Sequence, residues 1–384
     1  MSRVGVIGVG HGTFGRRSDA TVQELAFEAF RMAMDDAGIK RENLDASVVA
    51  AVPEYHKQRS VAGVVQEYLG LNPKPTWLTE VACASGSAAI RTAYMAIQSG
   101  LHKVVAVIGC QKMTELETAE ILALMGRVGE VQWESVFGTT FPGYYAMFAT
   151  RHMHEFGTTH DQLIDVAIKN HYYGARNPNA LFRKEITREK ALASDPVASP
   201  FCVYDCCANA DGAACLILAE EGRAKEMSDN VVWLDGVGAA TAEMSILKRP
   251  DLTGLPSAQE AARQAYEQAG VTAKDVKVAE VHDCFTIAEI MAYEDLGFCK
   301  KGEGGPFVAD KRSWIGGDVA VNTDGGLKSK GHPIGATGVS MAYEIVQQLR
   351  GECGERQVPD ADIGLTHNVG GIGQYTFVHL FKRD

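Results

Sequence analysis

The order of elements read from residues 231–382 repeats the order read from residues 3–221, and this duplication limits the fold more than any single motif. "RVGVIGVG" (Arg3–Gly10) is a β-branched run ending in glycines and predicts a strand. Thr21 and Glu24 follow at capping-box spacing, and apolar positions from Leu25 to Met34 predict a helix that stops at Gly38. "ASVVAAV" (Ala46–Val52) predicts a second strand. "LTEVACASGSAAIRTAYMAIQSG" predicts a strand, a turn and a helix ending near Gly100, and "KVVAVIG" (Lys103–Gly109) a further strand. In the second half "VVWLDGVG" (Val231–Gly238) echoes the opening strand and Ser257–Gly270 the first helix. Val276–Asp283 then echoes the second strand, Gly338–Gly351 the helix after Cys83, and Gln374–Lys382 the last strand of the first half, Asp211–Glu221. Strands alternating with helices call for a largely parallel sheet with both faces covered. A duplicated α/β unit is the economical reading.

The rhythm breaks only between about Met113 and Val203, where helical stretches around Tyr144–Phe156 and His160–Asn170 predict an inserted, mostly helical subdomain. The expected division is therefore 1–225, carrying an insertion at about 113–203, and 226–384. At 384 residues the chain exceeds one ordinary core. Its formal charge of −11 argues against nucleic-acid binding, which needs a basic footprint. No apolar run approaches a membrane span. Nine cysteines without disulfide-like spacing fit free thiols in a reducing cytoplasm, the expected location.

Gly10, Gly12 and Gly15 match a dinucleotide fingerprint, but the helix signal starts too late for its amides to meet a pyrophosphate. They read as a plain glycine-rich loop. Four other boxes hold the chemistry. "ACASG" places Cys83 among small residues at a strand-to-helix turn, where orphan amides favour a thiolate. "VHDCF" ends a strand with His282, Asp283 and Cys284; no further ligands follow at zinc spacing, so no metal is expected. Asn322–Gly338 is glycine-dense and carries His332, and Thr366–Gly373 is a glycine turn opened by His367. Cys206 and Cys207 read as packing residues of the core or a pocket. One thiol at a helix start, three histidines and a second thiol suit acyl transfer. A cysteine takes the acyl group, a histidine accepts its proton or polarises a thioester oxygen, and amides at a glycine turn hold an oxyanion.

These boxes, in this order, resemble the thiolase superfamily over nearly the whole chain, with "GHPIGATG" the most specific signature. "HDCF", "HN-x-G", "EFGTTHDQL" and "CCANADGAA" are similar to the sterol-carrier-protein-type and archaeal branch. The resemblance implies a five-layered αβαβα arrangement of two similar halves with a loop domain in the first. It implies Cys83 as acylated nucleophile and His332 as its base. His282 stands where many thiolases have an asparagine that orients a water in one oxyanion hole. The backbone amides of Cys83 and of the Val369–Gly370 turn form the other. The degradative enzymes' C-terminal Cys-x-Gly box is replaced here by His367-Asn-Val, and Cys284 is the compensating thiol. The resemblance also implies coenzyme A and acyl-CoA as substrates with no covalently bound cofactor. A homodimer or dimer of dimers follows, and a separate small zinc-ribbon/OB-fold protein as partner. For the CoA phosphates the insertion offers Arg176, Arg183, Lys184, Arg188 and Lys190. The competing readings are a decarboxylating ketoacyl synthase, a retro-aldol lyase of the same superfamily and a non-catalytic subunit of an acyl-CoA-handling complex.

Overall fold

The computed structural model describes residues 2–384. Among the described residues twelve strands form: β1 (Val4–His11), β2 (Ala46–Ala50), β3 (Thr76–Thr79), β4 (Val104–Lys112), β5 (Pro196–Ala198), β6 (Phe201–Cys202), β7 (Asp211–Glu220), β8 (Val232–Thr241), β9 (Val278–Val281), β10 (Ala320–Val321), β11 (Ile363–Gly370) and β12 (Tyr375–Lys382). Ten of them lie in the order β10-β9-β11-β12-β8-β1-β7-β4-β2-β3. Read outward from its centre, each half runs the same way. β1-β7-β4-β2-β3 matches β8-β12-β11-β9-β10, with two antiparallel and then two parallel pairings in both. Among the described residues the two half-sheets hydrogen-bond to each other through Gly5 with Trp233 and Val6 with Val232.

Five layers result. The helix Val22–Ala37 packs on β1, β4 and β7 from outside, and Pro256–Ala269 covers β8 and β12. The helices Ser85–Gln98 and Thr337–Arg350 lie together in the middle and touch strands of both halves. The predicted Thr21–Glu24 capping box forms, and Gly38 closes the helix in the left-handed region at φ 64°. Gly10 serves packing. A Cβ there would overlap the Ala29 carbonyl oxygen of the outer helix, just as one on Gly238 would overlap that of Ala261. The helix after the Gly10–Gly15 loop begins at Val22, so its amides do not meet those glycines.

The insertion contains the helices Thr118–Met125, Phe141–Phe156, His160–Gly174 and Arg188–Leu192, and also the two-stranded β5–β6 sheet, which sequence reading missed. Buried polar groups clamp it to the second half. Lys169 pairs with Glu289 at 2.8 Å, and the Asn170 amide donates to Asp283 and to Glu289, each at 2.7 Å. No described helix is long and apolar enough to cross a membrane.

The central helices meet where neither has room for a side chain. A Cβ on Gly86 would lie 2.7 Å from the Gly338 nitrogen, and one on Gly338 would overlap the Ser87 amide. Backbone cannot yield as a flexible side chain does. Gly338→Ala is therefore expected to destabilise the protein by about 3 kcal/mol, read in a thermal melt as a fall of roughly 5 °C or more.

Candidate active site

Cys83 lies between β3 and the helix Ser85–Gln98. Ala82 just before it takes a left-handed φ of 53°, which turns the chain sharply. The Ser85 hydroxyl ties this turn by donating to the Ala82 carbonyl at 2.6 Å and accepting from the Val81 amide at 3.0 Å. His282 follows β9, and His332 precedes the second central helix. The Cys83 sulfur and one ring nitrogen from each of His282 and His332 lie within 4.8 Å of one another, all buried. The two imidazoles meet edge to face, with centroids 5.1 Å apart.

Hydrogen bonds assign the two rings opposite tautomers. The Thr337 hydroxyl donates to the Pro333 carbonyl at 3.1 Å, so its oxygen accepts from His332 Nδ1–H at 2.7 Å. That leaves His332 Nε2 with a free lone pair. Asn368 Nδ2 donates to the Cys83 carbonyl at 3.1 Å, which fixes the amide, and its second hydrogen meets His282 Nδ1 at 3.2 Å. His282 therefore carries its proton on Nε2. Both Nε2 atoms are buried with no partner. The buried cluster is thus left with one free acceptor nitrogen and one free N–H donor.

Burial pushes the Cys83 thiol up to about 12, against the pull of the Gly371 and Cys83 amides, which point at the sulfur. Burial and the Lys330 ammonium push His332 down to about 3. Burial, with His332 and His367 nearby, depresses His282 well below its usual range. Before substrate arrives the trio is a neutral thiol and two neutral imidazoles.

The remaining predicted residues divide. Val369 and Gly370 are ladder residues of β11, paired with Thr376 and Tyr375, and the amide reaching the thiol is that of Gly371 in the turn beyond them. His367 is buried with both ring nitrogens unpartnered, yet it stands outside the Cys83–His282–His332 cluster. Successive strand residues face opposite ways, and its neighbour Asn368 takes the side facing the site. Cys284 is fully buried, and burial and Cys207 push its thiol well above the ordinary range. Beside it lies the Tyr145 hydroxyl, which also donates to the Gly371 carbonyl at 3.1 Å. Tyr145 lies in the predicted helical stretch Tyr144–Phe156 and carries no sequence signal of its own.

Two cavities adjoin. The smaller, of about 380 Å³, has Cys83, Tyr55, Met125 and Phe141 in its wall. The larger, of about 800 Å³, shares Met125 and Phe141 and is lined by Cys206, Cys207 and the cations Arg183, Lys184 and Lys190. None of these three cations has a carboxylate within salt-bridge distance among the described residues, while Arg176 and Arg188 are already engaged. Arg176 pairs with Glu185 at 2.8 Å and lies 3.7 Å above the Tyr172 ring. Arg188 pairs with Asp161 and Asp165. Neither lines the cavity.

Residues 4–222 match the thiolase N-terminal domain family, and residues 238–383 match the thiolase C-terminal domain-like family. An acetyl-CoA acetyltransferase of Methanothermobacter thermautotrophicus is 41% identical over 385 residues, covering all of both chains. Human sterol carrier protein 2 is 32% identical, with all of this chain matched to 72% of that one. Among solved structures, the Ltp2–ChsH2(DUF35) aldolase superposes with a TM-score of 0.86 at 25% identity, covering 100% of this chain and 99% of that chain. With both halves matched and the five-layered fold in place, the chain belongs to the thiolase family.

Proposed function

We propose that this protein is an acyl-CoA C-acyltransferase that cleaves a 3-oxoacyl-CoA with coenzyme A, or runs the reverse condensation, through an acyl-Cys83 intermediate. The observation that carries the proposal is the convergence of a buried thiol with one proton-accepting and one proton-donating imidazole. In cleavage, His332 Nε2 takes the Cys83 proton as the sulfur attacks the keto carbon. The oxygen on that carbon becomes an oxyanion facing the Cys83 and Gly371 amides. The carbon–carbon bond then breaks. Its electron pair goes to the departing thioester enolate, whose oxygen faces His282 Nε2–H and the newly protonated His332. Cys284 delivers a proton to the enolate carbon, giving acetyl-CoA or a substituted analogue. Free CoA, its thiol deprotonated by Cys284, attacks the acyl carbon, and the departing Cys83 thiolate takes back the proton held by His332. The acetyltransferase name of the 41% identical relative supports this reading.

The CoA phosphates are assigned to Arg183, Lys184 and Lys190, and not to Arg176 or Arg188, whose charges are already paired. The double variant Arg183→Glu/Lys184→Glu is expected to raise the KM for CoA about tenfold with kcat nearly unchanged, and more so at low salt. The same reversal at Arg176 should change KM less than threefold. Equal effects at the two places would remove the assignment.

A retro-aldol reading draws on the aldolase superposition. It predicts cleavage of a 3-hydroxyacyl-CoA without added CoA. The acyltransferase reading predicts loss of 3-oxoacyl-CoA only when CoA is supplied. A separate zinc-ribbon/OB-fold partner draws support from the same structure, a complex named with a DUF35 protein. Assays with and without a co-purified partner test whether turnover depends on it.

A further inference from the structure

A second cluster of ligating side chains lies in the insertion. His160, Cys202 and Asp205 bring a ring nitrogen, a sulfur and a carboxylate oxygen within 4.8 Å of one another. His160 Nε2 stands 2.9 Å from Asp205 Oδ2, Cys202 Sγ 3.1 Å from the same oxygen, and the sulfur 3.9 Å from the nitrogen. Tetrahedral zinc with bonds of about 2.3 Å to sulfur and about 2.0 Å to nitrogen and oxygen separates its ligands by roughly 3.3–3.5 Å. The three observed edges bracket that range, so shifts of a few tenths of an ångström admit an ion.

The support around the ligands is also that of a metal site. Asp205 is fully buried. Its Oδ1 accepts from the Thr286 hydroxyl at 2.6 Å, and its Oδ2 from the Cys202 amide at 2.9 Å, which orients the carboxylate. Cys202 is buried, whereas the His160 side chain is 30% exposed and leaves a path for the ion and a water as fourth ligand. We propose that His160, Cys202 and Asp205 form a Zn²⁺ site. Binding displaces the Cys202 thiol proton and any proton on His160, so affinity rises with pH. The site ties the segment 201–206 to the residues after Cys284. Thr286 follows Phe285, and Phe285 stacks on Phe201 at 5.4 Å. The ligands lie 42 and 3 residues apart along the chain, which is why motif spacing does not reveal them.

Among the described residues Cys83, His282 and His332 form the other three-ligand cluster, so the test uses Cys83→Ala, which removes the sulfur from that cluster. Metal-free Cys83→Ala protein is titrated with Zn²⁺ by calorimetry and with Co²⁺ by absorbance. The expected result is one equivalent bound, a thiolate-to-cobalt charge-transfer band, and at least tenfold tighter binding at pH 8 than at pH 6. Adding Cys202→Ser or His160→Gln should weaken binding at least tenfold and abolish or shift the band, while Cys206→Ser leaves both unchanged. His160→Gln alters a partly exposed ring and keeps the test valid if Cys202→Ser fails to fold. Binding unaffected by both substitutions, or no thiolate band, overturns the proposal and leaves the three groups as a hydrogen-bonded cluster. Because the measurement needs no turnover, its outcome is independent of the acyltransfer reading.

Discussion

Cys83→Ala is expected to lower thiolysis at saturating substrate by at least about 10⁴-fold, with the affinity for CoA changed less than threefold. The reason is structural economy. Among the described residues the cluster contains one sulfur, and the turn at Ala82, the Ser85 hydroxyl and the Gly371 amide all act on the position of that atom. Alanine keeps the backbone and the cavity wall, so folding and CoA binding survive while the acyl group has nothing to join. The check is a thiolysis assay beside calorimetric CoA binding and a thermal melt. Retention of a tenth of the wild-type rate would mean that bond cleavage does not pass through this sulfur.

His332→Asn is expected to cost about 10³-fold in the acylation step at pH 7, within the range of general-base effects, and to change the shape of the pH profile. Burial holds the Cys83 thiol near 12 and His332 near 3. A thiol at 12 left to itself is roughly 10⁻⁵ thiolate at pH 7, too little for the chemistry unless a base takes the proton during attack. With both groups neutral from pH 5 to 9, the wild-type acylation rate should be flat across that interval. Without the base the rate must follow the thiolate fraction and rise tenfold per pH unit over the same interval. Pre-steady-state acylation measured at several pH values separates these outcomes. A flat profile in His332→Asn would show that another group takes the proton. Thr337 gives an internal control. Thr337→Val removes the acceptor of His332 Nδ1–H and should lower the rate less than His332→Asn while keeping the flat profile.

Much of this was legible in the chain because it rests on local patterns. β-Branched runs, the Thr21–Glu24 capping box and the glycines closing the helices marked the strands and helices of both halves, and their recurrence disclosed the duplication. Cys83 stood out because its neighbours are small, and that smallness has a cause in the structure, where the Gly86 turn of one central helix lies against Gly338 of the other. What stayed hidden depends on partners far away in sequence. Arg188 looked as available as Lys184 until Asp161 and Asp165, more than twenty positions earlier, proved to hold it. Tyr145 sat unremarked in an aromatic run, because only the folded insertion brings its hydroxyl to Gly371 and Cys284. His367 lies outside the Cys83–His282–His332 cluster, and as neighbours in a strand it and Asn368 point to opposite faces, which a motif read as a string of letters does not separate.

The central claim is a covalent bond to one sulfur, and mass spectrometry of the protein mixed with 3-oxoacyl-CoA, quenched in acid and digested, tests it most directly. The account predicts the acyl mass on the peptide carrying Cys83, its disappearance when CoA is added before the quench, and its absence in Cys83→Ala. Turnover with no adduct at Cys83, or an adduct on Cys284 or Cys207 in its place, would contradict the account.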